Sequence, residues 1–109
     1  MNSKEKGIQL EKFVSGLFKD IDKKARPTKA SGACNEVGDV LNSLFYIEAK
    51  FRNTKNITLQ TKVWQKLCAD VPFHSLKMPL YILQNKNKET WAVLDIKDLI
   101  KLAECYITP

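Results

Sequence analysis

The chain has 109 residues, with 18 Lys and Arg against 12 Asp and Glu and a net charge of +6, which suits one domain burying about 65% of its unfolded surface and favours a polyanionic partner such as nucleic acid. A single histidine, His74, and three widely spaced cysteines, Cys34, Cys68 and Cys105, argue against a zinc site and for a reduced protein. No apolar stretch approaches the ~20 residues of a membrane span, and the N-terminus has no signal-peptide core, so the expectation is one cytoplasmic domain over residues 1–109, with tails at 1–6 and 106–109 and no membrane partner.

Leu10, Phe13, Val14, Leu17, Phe18 and Ile21 follow the i, i+3, i+4, i+7 spacing of an amphipathic helix. Glu11 lies one helical row from that stripe, where the buried face meets solvent. It suits either a site at a sheet edge or a solvated first-turn position. The helix must end before Pro27, which cannot continue it. Lys23, Lys24, Arg26 and Lys29 in this stretch are candidate phosphate contacts, of the kind that set affinity and salt dependence without reading bases, although charge runs after helices are also commonly just solvated. Ser31 to Glu36 forms a small-residue loop, in which a serine often bonds its own backbone.

Val37 to Leu41 reads as a short strand, and Leu44 to Lys50 as a second one, rich in β-branched and aromatic residues. Asn42-Ser43 between them has the composition of a tight hairpin. On the second strand Glu48 and Lys50 share a face, roughly 7 Å apart at the Cα, and the hairpin brings Asp39 back towards Glu48. Two converging carboxylates repel unless a cation lies between them, and a hard divalent ion held by oxygen ligands, Mg2+ or Mn2+, is the usual answer. A lysine beside that ion can orient water or stabilise charge on a phosphoryl oxygen during in-line displacement. Acid, acid, lysine is a phosphodiesterase arrangement; the same short pattern also suits an ordinary exposed strand pair with Asp39 capping a turn.

From Lys50 to Ala69 there are five basic residues and no acidic one, so Arg52, Lys55 and Lys62 join the candidate DNA contacts. Thr58 is a plausible N-cap for a helix to about Ala69, buried through Val63, Trp64, Leu67 and Val71. Gln60 precedes them by one turn, either near metal-bound water or phosphate or simply a polar edge residue. Val71 to Pro79 reads as a loop. Leu80–Gln84 and Thr90–Leu94 form a second hairpin, and Asp95 caps a last helix whose Ile96, Leu99, Ile100 and Ala103 share a face. The order helix, strand, strand, helix, strand, strand, helix implies an α/β domain with a mixed sheet flanked by helices.

Gly38-Asp39, eight further residues and Glu48-Ala49-Lys50 resemble the signature of the PD-(D/E)xK nuclease superfamily, with Gly38 where that family most often has proline. Lys6-Gly7, Glu11, Arg26-Pro27, Ser31-Gly32, Asp39 and Ile47-Glu48-Ala49-Lys50 together are similar in order to archaeal-type Holliday junction resolvases, closely over the first half of the chain and only as a pattern of elements over the second. The resemblance implies a restriction-endonuclease-like core and a magnesium-dependent endodeoxyribonuclease cutting four-way or other branched DNA. It implies Asp39, Glu48 and the Ala49 carbonyl as metal ligands, Glu11 assisting metal or water, Lys50 as the catalytic cation, and Ser31 positioning phosphate. It also places Lys6 among the DNA contacts and implies a homodimer, since two symmetric cuts need two sites. A PD-(D/E)xK nuclease of ordinary duplex or single strands, a basic DNA-binding module without catalysis, and an RNA-processing nuclease remain alternatives.

Overall fold

The computed structural model describes residues 2–23, 25–27 and 39–108. Along the chain run α1 (Ser3–Lys19), β1 (Arg26–Pro27), β2 (Val40–Leu41), β3 (Phe45–Phe51), α2 (Thr61–Asp70), β4 (Met78–Gln84), β5 (Thr90–Val93) and α3 (Ile96–Ile107). The strands form one mixed sheet in the order β1-β2-β3-β4-β5, parallel only between β3 and β4. Its body is the three longer strands; β1 and β2 are two-residue additions at one edge.

The parallel pair is possible because α2 carries the chain back across the sheet between β3 and β4. Alternation then divides β3 between two layers. Phe45, Ile47 and Ala49 join Leu10 and Val14 of α1 and Leu80 and Ile82 of β4 in one core. Tyr46 lies on the opposite side with Tyr81 and Leu83 of β4 and Val63, Trp64 and Leu67 of α2. β4 is therefore buried on both faces, which explains its continuous apolar run. Pro79 sits within β4 opposite Tyr46, and β5 pairs only from Tyr81 onwards. The amide that proline lacks would have no strand to serve there.

The hairpin between β2 and β3 is held by Asn42, which is 4% exposed. Its side-chain oxygen accepts from the Leu44 and Phe45 amides at 2.9 and 2.6 Å, and its amide donates to the Phe45 and Val40 carbonyls at 2.9 and 3.3 Å. Asp22, just after α1, accepts from the Ser43 amide at 2.7 Å and ties the helix exit to this turn.

Several boundaries differ from the sequence reading. α1 starts at Ser3, with Asn2 accepting from the Glu5 amide, so residues 3–6 are helix rather than tail. Its stripe is only half used. Leu10 and Val14 are buried, whereas Phe13, Leu17 and Ile21 are 49%, 56% and 83% exposed. These three and Trp91 of β5 line an open apolar trough of about 440 Å³. α2 begins at Thr61 and not after Thr58; Gln60 is the N-cap residue, through its carbonyl and without a side-chain cap bond. β4 takes in Met78 and Pro79, expected as loop. α3 is capped by Asp95, whose side chain accepts from the Lys97 amide at 2.8 Å, and runs through Tyr106 and Ile107, expected as tail. Its Ile96, Leu99 and Ile100 remain about half exposed or more, and Leu102 packs on the first core. No helix among the described residues is long and apolar enough to cross a membrane.

Ile47 is wholly buried and Ile21 almost wholly exposed. At dilutions where the chain is monomeric, Ile47→Ala is therefore expected to lower unfolding free energy by about 2–5 kcal/mol and Ile21→Ala by less than about 0.5 kcal/mol in urea titrations, where a uniformly buried helix stripe would give comparable losses at both.

Candidate active site

The two faces of β3 do different work, and the polar one gathers the candidate residues. Glu48 and Lys50, two apart, stand on the face shared with α2, and Lys50 Nζ lies 3.1 Å from Glu48 Oε1. Both side chains keep substantial exposure, 41% for Lys50 and 29% for Glu48, so the pair is open to a ligand.

Asp39 is fastened to the edge of the same strand at both its ends. Its backbone amide donates to the Ile47 carbonyl at 2.7 Å, and its Oδ2 accepts from the Ala49 amide at 2.7 Å. The Val40–Ile47 pairing sets this register. A carboxylate is thereby delivered to the flank of Glu48 without a flexible stem. Burial pushes the Asp39 carboxyl above the usual aspartate range, Glu48 adds to the rise, and the Ala49 amide and Lys50 oppose it.

Glu11 enters from α1. Burial comes first in raising its carboxyl above the usual glutamate range, followed by the charges of Asp39 and Glu48, with Lys50 pulling the other way. It is half-buried beside the apolar stripe. Glu11 thus feels Asp39 and Glu48, Asp39 feels Glu48, and Lys50 opposes the rise in both Glu11 and Asp39.

The remaining expected residues divide. Ser31, Lys24 and Lys29, with Val37 and Gly38, lie outside the described residues. Lys23, Arg26, Arg52, Lys55, Gln60 and Lys62 are exposed; Arg26 also donates to the Pro27 carbonyl at 3.3 Å. Lys6 stands 5.0 Å from the centroid of the Phe51 ring, on the opposite face of the sheet from Glu48.

Two neighbours of Glu48 were not anticipated. Lys66 and Asp70 of α2 form an i, i+4 pair at 2.8 Å, and with Val63 and Leu67 they border a small cleft against Glu48. The hydrogen bond and charge of Asp70 raise the Lys66 ammonium, and Glu48 contributes further. The spacing of Lys66 and Asp70 with Val63 and Leu67 was readable; that this side of the helix lies on the Glu48 face is a tertiary fact.

No protein-family model, no curated protein and no solved structure matches this chain. The site stands on its own geometry. Among the described residues no three His, Cys, Asp or Glu side chains already converge as a ligand cage. The oxygen donors present are the Asp39 and Glu48 carboxylates and the carbonyl of Ala49, the residue after Glu48. That set fits a hard divalent ion, because Mg2+ takes one or two carboxylates and keeps several waters, and because burial, followed by the charge of Glu48, raises the Asp39 carboxyl.

The raised carboxyls set a sign for pH dependence. A folded carboxyl pKa above its unfolded value means that the folded state binds more protons between the two, so stability falls as pH rises through that window. Asp39→Asn keeps an acceptor for the Ala49 amide and removes the charge. It is expected to raise the melting temperature at neutral pH in the absence of metal and to flatten the decline above the usual aspartate range, as read by thermal unfolding across pH. Magnesium is expected to raise the wild-type melting temperature at neutral pH and to leave the variant unmoved.

Proposed function

We propose that this chain is a magnesium-dependent endodeoxyribonuclease of the PD-(D/E)xK kind, built on a restriction-endonuclease-like core and acting on branched DNA in the manner of a Holliday junction resolvase. The observation that carries the reading is the double attachment of Asp39 to the edge of β3, which places its carboxylate beside Glu48 with Lys50 3.1 Å from Glu48. Acid, acid and lysine are held by backbone pairing, and such fixed charges are effective because they need no reorganisation during reaction.

Asp39, Glu48 and the Ala49 carbonyl would hold Mg2+ or Mn2+, which supplies charge for a phosphoryl oxygen and lowers the pKa of a bound water. Lys50 faces the charge that builds on the phosphoryl oxygens as water attacks phosphorus and the opposite P–O bond breaks. Glu11, half-buried on α1 with a raised carboxyl pKa, would assist the metal or the attacking water. The excess of 18 basic over 12 acidic residues supports a DNA partner, with Lys23, Arg26, Arg52, Lys55 and Lys62 as exposed phosphate contacts. A cytoplasmic setting agrees with Cys68 and Cys105, which are exposed free thiols.

A homodimer belongs to the same proposal. Phe13, Leu17, Ile21 and Trp91 leave an apolar trough on one side of the sheet, and α3 leaves Ile96, Leu99 and Ile100 uncovered, a combination that a second copy would cover. Leu17→Asp is expected to yield a monomer in sedimentation velocity where the wild type sediments as a dimer; a monomeric wild type contradicts the dimer.

The activity test is cleavage of a labelled immobile four-way junction beside a linear duplex of the same sequence, with magnesium or chelator. Paired symmetric nicks in the junction alone are expected, with Lys50→Ala slower by roughly a hundredfold or more and Glu48→Ala inactive. Metal-dependent cutting of both substrates would make the chain a general nuclease. Tight binding with no cutting would make it a binding module.

A further inference from the structure

Three lysines from two distant parts of the chain meet in one concavity on the α1 side of the sheet. Lys6 of α1 and Lys86 and Lys88 of the turn between β4 and β5 line a cleft of about 290 Å³ together with Gln9, Phe51 and Gln84. Among the described residues no carboxylate lines it. Among the described residues none of the three lysines has an ion-pair partner. Gathering like charges in one hollow is unfavourable unless an anion enters.

The turn that brings two of them is a fixed structure. Asn85 is completely buried. Its side-chain oxygen accepts from the Asn87 and Glu89 amides at 3.0 and 2.9 Å, and its side-chain amide donates to the Lys55 carbonyl and Glu89 Oε1, both at 2.9 Å. The Lys86 amide donates to the Thr54 carbonyl at 3.1 Å, which locks the turn to the loop leaving β3. Lys88 holds φ at 64°, a left-handed conformation uncommon for residues other than glycine, asparagine and aspartate. The turn's one acid, Glu89, is engaged by Asn85. Lys6 is steadied over the Phe51 ring. Beyond the lysines, Gln9, Gln84 and Lys88 also border a second hollow of about 310 Å³ that reaches Leu10 and Phe13, so the cationic cleft opens onto partly apolar ground.

We infer that Lys6, Lys86 and Lys88 form an anion cleft for backbone phosphates of a DNA strand at a point away from the scissile phosphate. The inference rests on the nuclease reading for its choice of DNA, while the cleft itself rests on its own residues. It lies across the sheet from the Glu48 face, since Phe51 belongs to the α1 side. It thus widens the surface that a strand can follow beyond the residues around Glu48.

The test is equilibrium binding of a labelled four-way junction in chelator, where nothing is cut, over a range of salt. Wild type is compared with Lys86→Gln/Lys88→Asn, the asparagine chosen to suit the left-handed backbone, and with Lys97→Gln/Lys101→Gln on α3, which removes the same charge elsewhere. The cleft variant is expected to lose about 0.9 in salt slope per phosphate contact, so that going from about 50 to about 200 mM salt weakens wild type roughly three- to twelvefold more than the variant. The α3 variant is expected to keep the wild-type slope. Lys86→Gln alone serves if the double variant does not fold. Equal slopes for wild type and cleft variant, or the same drop in the α3 variant, would overturn the cleft. Saturation of the Lys86 and Lys88 amide shifts by inorganic phosphate alone would reassign it to a free anion and overturn the strand assignment. Cutting in magnesium is scored separately. A slope change without any cutting keeps the cleft and removes the nuclease, cutting with unchanged slope does the opposite, and a wild type that binds no junction removes both.

Discussion

The parallel pairing of β3 with β4 is the constraint on which the rest of the molecule depends. It runs through seven consecutive residue pairs, from Phe45 opposite Met78 to Phe51 opposite Gln84. Because it buries β4 on both faces and splits β3 by parity, it forces α1 to one side and α2 to the other. The same parity puts Ile47 in a dry core and its neighbour Glu48 on the polar face. A one-residue slip of β3 would exchange those roles and place a carboxylate among Leu10, Val14 and Ile82. The register of the active-site candidates is therefore enforced by hydrophobic burial on the opposite face, and their own attractions need not maintain it.

Burial and charge both act on the carboxyls at this edge. Asp39 is held beside Glu48 by two backbone bonds; burial first and then neighbouring carboxylates raise Asp39, through Glu48, and Glu11, through Asp39 and Glu48. In a purely structural site such a cluster would be relaxed by substitution or by a nearer cation. Among the described residues Lys50 is the basic group that lowers both Glu11 and Asp39. The arrangement makes sense if a divalent ion completes it, since the energy lost by crowding charge in the free protein is recovered on binding.

How much was legible from the amino-acid order follows from where each signal resides. The alternation of Phe45 to Lys50, the hairpin residues Asn42 and Ser43, and the Asp95 cap are local signals, and each stands where its chemistry places it. The Glu48–Lys50 contact follows from strand geometry alone. The exposure of Phe13, Leu17 and Ile21 was not legible, because a helical stripe states which residues are apolar and not how much of the sheet lies beneath them. The start of α2 was misplaced because Thr58 has a good capping side chain, whereas the helix begins on the Gln60 carbonyl with no side-chain cap. Lys66 and Asp70 near Glu48, and Lys6 near Lys86 and Lys88, are meetings of distant segments. That Asn85 is buried and anchors the turn between β4 and β5 is likewise a fact of the fold.

The most direct test of the central claim, that the edge of β3 holds a catalytic divalent ion, is a magnesium titration followed through backbone amide shifts. The Ala49 amide is the reporter, because it donates to Asp39 Oδ2. The account predicts saturable shifts centred on Asp39, Glu48, Ala49 and Lys50 in the wild type that vanish in Asp39→Asn while the rest of the spectrum stays folded. Saturable shifts centred elsewhere, or a spectrum indifferent to magnesium, would contradict it.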